Sequence, residues 1–190
     1  MKTSPEDSVY NWLMNNRLKV AIGCFSFVIA LFAGVAIYNA TNDTPQKEIT
    51  VVSIASPAPI SPIFQGTLIE QSFITNLRSL SKVSIYVATY LKSNLPGKGF
   101  FELSDTSGKV LTSQQFELAS LKDNEYFSFN FKSLDVKPGS QYFFTLTSDV
   151  KPTASTFTLW SNQGFSDKSF ILKENRNVIN GAIIFNLTGK

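Results

Sequence analysis

The sequence contains no histidine among its 190 residues and only one cysteine, Cys24. Histidine is the side chain that most often acts as a general base near neutral pH, so the Ser-His and Cys-His pairs of many hydrolases are excluded. A single cysteine can form neither an intrachain disulfide nor a cysteine-rich metal cluster. We therefore expect a protein that is not an enzyme, that holds no cofactor and that has no metal site built from histidine or cysteine. Calcium bound by aspartates in turns, such as Asp105 and Asp123, stays an open alternative.

Charged residues are also scarce and mixed in sign. The chain has 17 lysine and arginine residues against 14 aspartate and glutamate residues, which gives a formal net charge of +3. An excess this small does not create the basic field that attracts nucleic acid, so nucleic acid is not an expected partner. The length of 190 residues leaves room for one domain and a short additional element.

One long apolar run, from Val20 to Tyr38, contains no charged residue. At about 1.5 Å per helical residue it would span about 28 Å, close to the roughly 30 Å hydrocarbon thickness of a bilayer. Its length and uniform hydrophobicity predict a single transmembrane helix over residues 20–38. The alternative is a cleaved signal peptide, although the run is longer than the apolar part of most signal peptides.

Basic residues are concentrated before this run, at Lys2, Arg17 and Lys19. This bias predicts that residues 1–19 form a short cytoplasmic segment and that the C-terminal part of the chain is extracytoplasmic. We therefore expect a single-pass membrane protein with an uncleaved signal anchor, and the lipid bilayer is its first expected partner.

Small residues recur along one side of the predicted helix. They are Gly23, Ser26, Ala30, Ala33 and Gly34. Such a stripe lets a second helix approach closely, which is how transmembrane helices often associate. It predicts membrane-protein partners that pack on this helix, unless the stripe only reflects how common small residues are in membrane spans.

Residues 39–62 are rich in proline, serine and threonine, a composition typical of an extended linker. Residues 49–54 interrupt this composition with strand-like side chains. That short stretch pairs either with a partner protein or with the domain that follows, and the sequence favours neither possibility.

The exterior domain, residues 63–190, shows short runs in which apolar and polar residues alternate, a pattern typical of strands with one buried face. Clear examples are Val83, Ile85 and Val87 in one run, and Phe127, Phe129 and Phe131 in another. Turn signals such as Lys137-Pro138-Gly139 separate the runs. We predict an all-β fold, a jelly-roll-like β-sandwich of about nine strands, with most of the 17 phenylalanines in its core.

Several segments of this domain resemble a galactose-binding-like jelly roll found as an outer domain of bacterial, often cyanobacterial, envelope membrane proteins, some of them linked to cell-surface polysaccharides. They are Gln71–Phe73, Leu80–Tyr90, Phe101–Leu103 with Gly108, Tyr142–Thr147, Thr158–Trp160 and Asn180–Gly181. The resemblance implies a non-catalytic, carbohydrate-binding-like module. Ala182 departs from it, because an acidic residue is expected after the closing glycine, and Asn186 occupies the position where an arginine or other polar residue is expected.

Sugar-binding faces expose aromatic rings beside a few polar groups. Four residues are candidates for ligand contact: Trp160, Tyr86, Tyr90 and Phe165. Trp160 is out of phase with the apolar residues Phe157 and Leu159, and the two tyrosines stand at even spacing in one predicted strand. Each ring could instead belong to the core or cap the sandwich.

Two functions follow from these features. The first is a membrane-anchored binding module that presents its sandwich to envelope polysaccharide. The second is a structural accessory subunit of a membrane complex, with the helix packed on partner helices and the outer domain holding partner loops. The sequence does not identify the ligand or the partner proteins.

Overall fold

The structure is a computed structural model that describes residues 45–190. These residues form thirteen strands and one short 3₁₀ turn at Leu118–Ser120. The first seven strands are β1 (Lys47–Val52), β2 (Pro57–Pro59), β3 (Ile69–Thr75), β4 (Ser79–Ala88), β5 (Lys98–Asp105), β6 (Val110–Glu117) and β7 (Glu125–Asp135). The remaining strands are β8 (Ser140–Ser148), β9 (Thr158–Asn162), β10 (Leu172–Glu174), β11 (Asn177–Ile179), β12 (Ala182–Ile183) and β13 (Phe185–Gly189).

The strands form two antiparallel sheets. The seven-stranded sheet has the order β1-β13-β4-β9-β12, with β7 also paired to β4 and β2 also paired to β9. The six-stranded sheet has the order β11-β10-β3-β8-β5-β6. The predicted all-β sandwich is therefore confirmed. Strands beyond the expected nine are mostly two or three residues long, too short for an alternating pattern to reveal them.

Phenylalanine rings fill the space between the sheets, because the alternating strands place them on the inner faces. Phe101 of β5 stacks on Phe129 of β7 with ring centroids 4.1 Å apart. Phe73 of β3 meets Phe185 of β13 edge-on at 5.6 Å. Both pairs join one sheet to the other, and aromatic contacts of this kind add to the stabilisation from burial itself.

Two strands of the sandwich, Lys47–Val52 and Pro57–Pro59, lie inside the segment predicted as a linker, residues 39–62. β1 pairs with β13 in the register Lys47↔Gly189, and β2 pairs with β9 through Ala58↔Ser161. The strand-like stretch in this region therefore pairs with the domain itself. β2 accommodates two prolines because it is an edge strand with a single neighbour.

Within residues 45–190, no helix is long and apolar enough to cross a membrane. The predicted transmembrane run, its small-residue stripe and the predicted cytoplasmic segment all lie outside the described residues.

The strand β4 runs from one end of the sandwich to the other. β1 begins at Lys47 beside the first residues of β4, and we call this the entry end. β4 then runs for 10 residues, about 30 Å, to a turn at residues 89–92 that marks the far end. A surface near residue 86 therefore lies close to the far end.

A candidate ligand-binding face

Three aromatic side chains lie side by side on the outer surface of the seven-stranded sheet. Tyr86 on β4 is directly opposite Tyr126 on β7, and their ring centroids are 5.0 Å apart. On the other side of β4, the ring of Trp160 on β9 is 6.5 Å from Tyr86. We call these three residues the aromatic row.

Local sequence determines that these rings point outward. Tyr86 stands between Ile85 and Val87, which are buried in the core, so the pleat of β4 places its ring on the opposite face. Trp160 likewise follows the buried Leu159, and Tyr126 is exposed. The alternation that fills the core therefore also builds the aromatic row.

Asn124 fixes the indole of Trp160. The Trp160 Nε1–H group donates a hydrogen bond to Asn124 Oδ1 at 2.9 Å. Asn124 adopts a left-handed conformation with φ of 56°, which asparagine tolerates better than most residues, and its N–H donates to the carbonyl of Val87. Trp160 is thus held by a side chain whose backbone is anchored to β4.

The neighbouring residue, Asp123, holds the turn at the far end. Its Oδ1 accepts hydrogen bonds from the N–H groups of Thr89 at 2.6 Å and Tyr90 at 2.8 Å. Tyr90 and Leu91 both have positive φ, at 54° and 61°, and the Lys92 N–H closes the turn on the Thr89 carbonyl. The left-handed backbone conformation strains both bulky residues. The Asp123 carboxylate stabilises the turn through its hydrogen bonds to the N–H groups of Thr89 and Tyr90.

The four sequence-predicted ring residues do not form one cluster. Tyr86 and Trp160 come together, whereas Tyr90 lies beyond the end of β4, so the even spacing does not place it on the strand face. Phe165 lies in the loop after β9 and packs edge-on against Phe170 at 5.2 Å. Sequence reasoning missed Tyr126, although its position one residue before the inward Phe127 could have indicated an outward ring.

Beside the aromatic row, the same face carries neutral polar side chains. The residues in register with Ser84 are Thr50, Asn186 and Ser128. The hydroxyls of Ser84 and Ser128 share a hydrogen bond at 2.9 Å. We call these four residues the polar row.

A third line of side chains lies further toward the entry end. Glu48, Thr188 and Lys82 are in register on β1, β13 and β4, and Lys82 Nζ is 3.3 Å from Glu48 Oε1. The two ends of this ion pair are on strands that flank β13, so the pair crosses over Thr188. Its charges cancel, so this pair adds no net charge to the face.

The Tyr126 hydroxyl in the aromatic row has a raised pKa. Burial raises the pKa of the Tyr126 hydroxyl, with smaller contributions from Tyr86 and from the Glu48 carboxylate. All three causes disfavour the phenolate, because they either remove water or add negative charge nearby. The hydroxyl is therefore neutral near pH 7 and can donate or accept a hydrogen bond.

Two surface depressions differ in their relation to this face. One of about 150 Å³ adjoins the aromatic row and is lined by Tyr126, Val87, Ser120, Lys122, Glu125 and Phe127. A larger cleft of about 350 Å³ lies beside the β5–β6 turn toward the entry end, and its lining includes Asp105, Lys109, Asp135 and Lys137. The smaller depression is the one that a ligand on the aromatic row would reach.

In the described part of the chain, no group of three or more histidine, cysteine, aspartate or glutamate side chains is placed to bind a metal ion.

A comparison with known protein families finds no model that matches the chain, and none of the curated proteins matches it. The fold and the geometry of this face are therefore the features that bear on function.

Proposed function

We propose that this chain is a membrane-anchored, non-catalytic binding module that binds carbohydrate on the outer face of its seven-stranded sheet. The observation that carries the proposal is the aromatic row, in which Tyr86, Tyr126 and Trp160 are adjacent on three neighbouring strands. Aromatic rings stack on the C–H faces of sugar rings, and nearby polar groups hold the hydroxyls.

The electrostatics of the face favour a neutral glycan. Two ion pairs lie on or beside this face, Glu48 with Lys82 and Lys122 with Glu125. An acidic polysaccharide would need an excess of lysine or arginine, and a basic ligand would need an excess of carboxylates. Hydroxyl and amide groups dominate the polar row, and these suit the hydroxyls of an uncharged sugar.

The described chain enters the sandwich at Lys47, whereas the aromatic row lies near the other end of β4. The proposed membrane anchor is the apolar run at residues 20–38. The proposed galactose-binding-like identity is consistent with the two-sheet antiparallel fold.

The test is retention of the full chain on immobilised neutral and acidic polysaccharides, compared with a Trp160→Ala variant. The protein should be purified in a polyoxyethylene detergent, because alkyl glycosides would compete for the site. We expect retention on at least one neutral polysaccharide and its loss in Trp160→Ala. Phe100→Ala is the matched control, since Phe100 is an exposed ring on β5 of the other sheet.

Retention that is equal in Trp160→Ala and in wild type would refute the proposed face. No retention on any polysaccharide, together with stoichiometric membrane proteins that co-purify in mild detergent, would instead favour the structural accessory subunit. Release of the chain from membranes by alkaline carbonate would refute the anchor.

A further inference from the structure

Two buried polar atoms on the proposed face have no hydrogen-bond partner among the described residues. They are Asn186 Oδ1 and Thr188 Oγ1, which stand two residues apart on β13 and therefore face the same side. Only 8% of Thr188 is exposed. A buried polar atom without a partner is uncommon, because burial removes its hydrogen bonds to water and nothing replaces them.

The unpartnered atoms lie in the middle of the face that carries the aromatic row. Asn186 belongs to the polar row and is in register with Ser84, two residues before Tyr86 on β4. Thr188 lies one step further toward the entry end, beneath the ion pair between Glu48 and Lys82. The two atoms therefore lie on the same face of the sheet as the aromatic rings.

The ion pair between Glu48 and Lys82 covers the Thr188 hydroxyl and can open. Glu48 and Lys82 are on strands separated by β13, about 10 Å apart, so their side chains must reach across Thr188 to meet. Both side chains are long and partly exposed, and an ion pair of this kind contributes little stability. Separation of the two side chains would uncover the Thr188 hydroxyl, next to Asn186 in the polar row, without disturbing the backbone of either sheet.

We infer that Asn186 and Thr188 form the floor of a second subsite, on the same face as the aromatic row, that takes a neutral polyhydroxy group of the ligand once the Glu48–Lys82 ion pair opens. This inference rests on the proposed function and extends it. Asn186 Oδ1 accepts a hydrogen bond from one ligand hydroxyl. Thr188 Oγ1 donates to or accepts from another, because residues two apart on a strand are about 6.6 Å apart and one hydroxyl cannot reach both.

The first variant to test is Thr188→Val, which keeps the shape and the strand preference of threonine and removes only the unpartnered hydroxyl. The full chain should be studied by isothermal titration with cello-oligosaccharides, galacto-oligosaccharides and dextran as probes. For the probe that wild type binds, we expect Thr188→Val and Asn186→Leu each to weaken binding about five- to twenty-fold. The melting temperature of Thr188→Val should stay the same or rise.

Thr145→Val is the matched control, because Thr145 lies on β8 of the other sheet and should leave binding unchanged. A fall in the melting temperature of Thr188→Val, with unchanged affinity, would show that the hydroxyl has only a structural water partner and would overturn the subsite. Loss of binding in Trp160→Ala with unchanged binding in both β13 variants would overturn the subsite and leave the proposed function intact. No binding of any probe by wild type would overturn both.

The salt dependence of binding tests separately whether the Glu48–Lys82 ion pair covers the subsite. Because salt screens partly exposed ion pairs, raising NaCl from about 0.05 M to 0.5 M should tighten binding of the neutral probe by about two- to three-fold. The double variant Glu48→Gln, Lys82→Met should bind tightly at both salt concentrations. Glu70→Gln, Lys173→Met is the control, since this pair, with Nζ 2.6 Å from Oε1, lies on the other sheet. An equal salt response in wild type and the Glu48, Lys82 double variant would refute the claim that the ion pair covers the subsite.

Discussion

Replacement of Gln71 by methionine should destabilise the sandwich, because this side chain joins the two sheets inside the core. Gln71 belongs to β3 of the six-stranded sheet and is fully buried. Its Oε1 accepts a hydrogen bond at 2.8 Å from the N–H of Ile183, a residue of β12 in the seven-stranded sheet. Its Nε2 donates to the carbonyl of Ser72 at 2.7 Å.

Methionine has nearly the same length and fills the same space, so the main change is the loss of hydrogen bonds. The Ile183 N–H would remain buried without a partner, which costs about 1–3 kcal/mol. Removal of the amide from the core offsets part of this cost. We expect the free energy of unfolding to fall by about 2 kcal/mol, which corresponds to about 4–8 °C in the melting temperature of a domain of this size.

The assay is chemical denaturation of the full chain in detergent, in a Trp12→Phe background so that the tryptophan fluorescence comes from Trp160 alone. Gln141→Met is the matched control, because Gln141 Nε2 donates to Ser169 at 3.1 Å in a partly exposed site where water can replace the bond. The control should stay within about 0.5 kcal/mol of wild type. Equal stability of Gln71→Met and wild type would refute the view that this bond connects the sheets.

Three further predictions concern the turns. Leu91→Gly should stabilise the fold by about 0.5–1 kcal/mol in thermal melts, because it relieves a left-handed leucine whose side chain is 89% exposed; a lower melting temperature would contradict the strain argument. Gly181→Ala should lower stability by more than Gly66→Ala: both glycines have positive φ, but a Cβ at position 181 would lie 2.5 Å from the Asn162 carbonyl oxygen, and one at position 66 would meet nothing. Equal losses of stability in Gly181→Ala and Gly66→Ala would show that the close approach of the Asn162 carbonyl oxygen does not matter at position 181. The Ser107 hydroxyl donates to Asp105 at 2.6 Å and lowers the pKa of Asp105 in the folded protein, so its contribution to stability is present at neutral pH and is lost as pH falls through the lowered pKa. Ser107→Ala should move the Asp105 pKa, measured by NMR titration, back toward its ordinary value; an unchanged pKa would contradict the assigned cause.

Local alternation was sufficient to predict the fold class and the outward position of Trp160. In β7 the inward Phe127 and Phe129 could have revealed the outward Tyr126 in the same way, because a strand has only two faces. The strand character of residues 49–54 was also visible, but its partner was not. β1 pairs with β13, more than a hundred residues further along the chain, and sequence alternation contains no information about such distant pairing.

The position of Tyr90 was beyond local reasoning for a different reason. Even spacing from Tyr86 predicts a shared face only while the strand continues, and the strand ends at Ala88. The cause is the carboxylate of Asp123, which binds the backbone N–H groups of Thr89 and Tyr90 from another loop. A hydrogen bond between distant segments therefore overrides the preference of tyrosine and leucine for extended backbone.

The amino-acid sequence by itself determined that the described domain is a sandwich with a phenylalanine core, since the period of two assigns each side chain to a face without reference to the rest of the chain. Only the tertiary structure decided that Tyr86, Tyr126 and Trp160 are neighbours and that Asn186 and Thr188 lie beside them without partners. Those relations depend on which strands pair and in which register, and backbone hydrogen bonds between distant segments settle both.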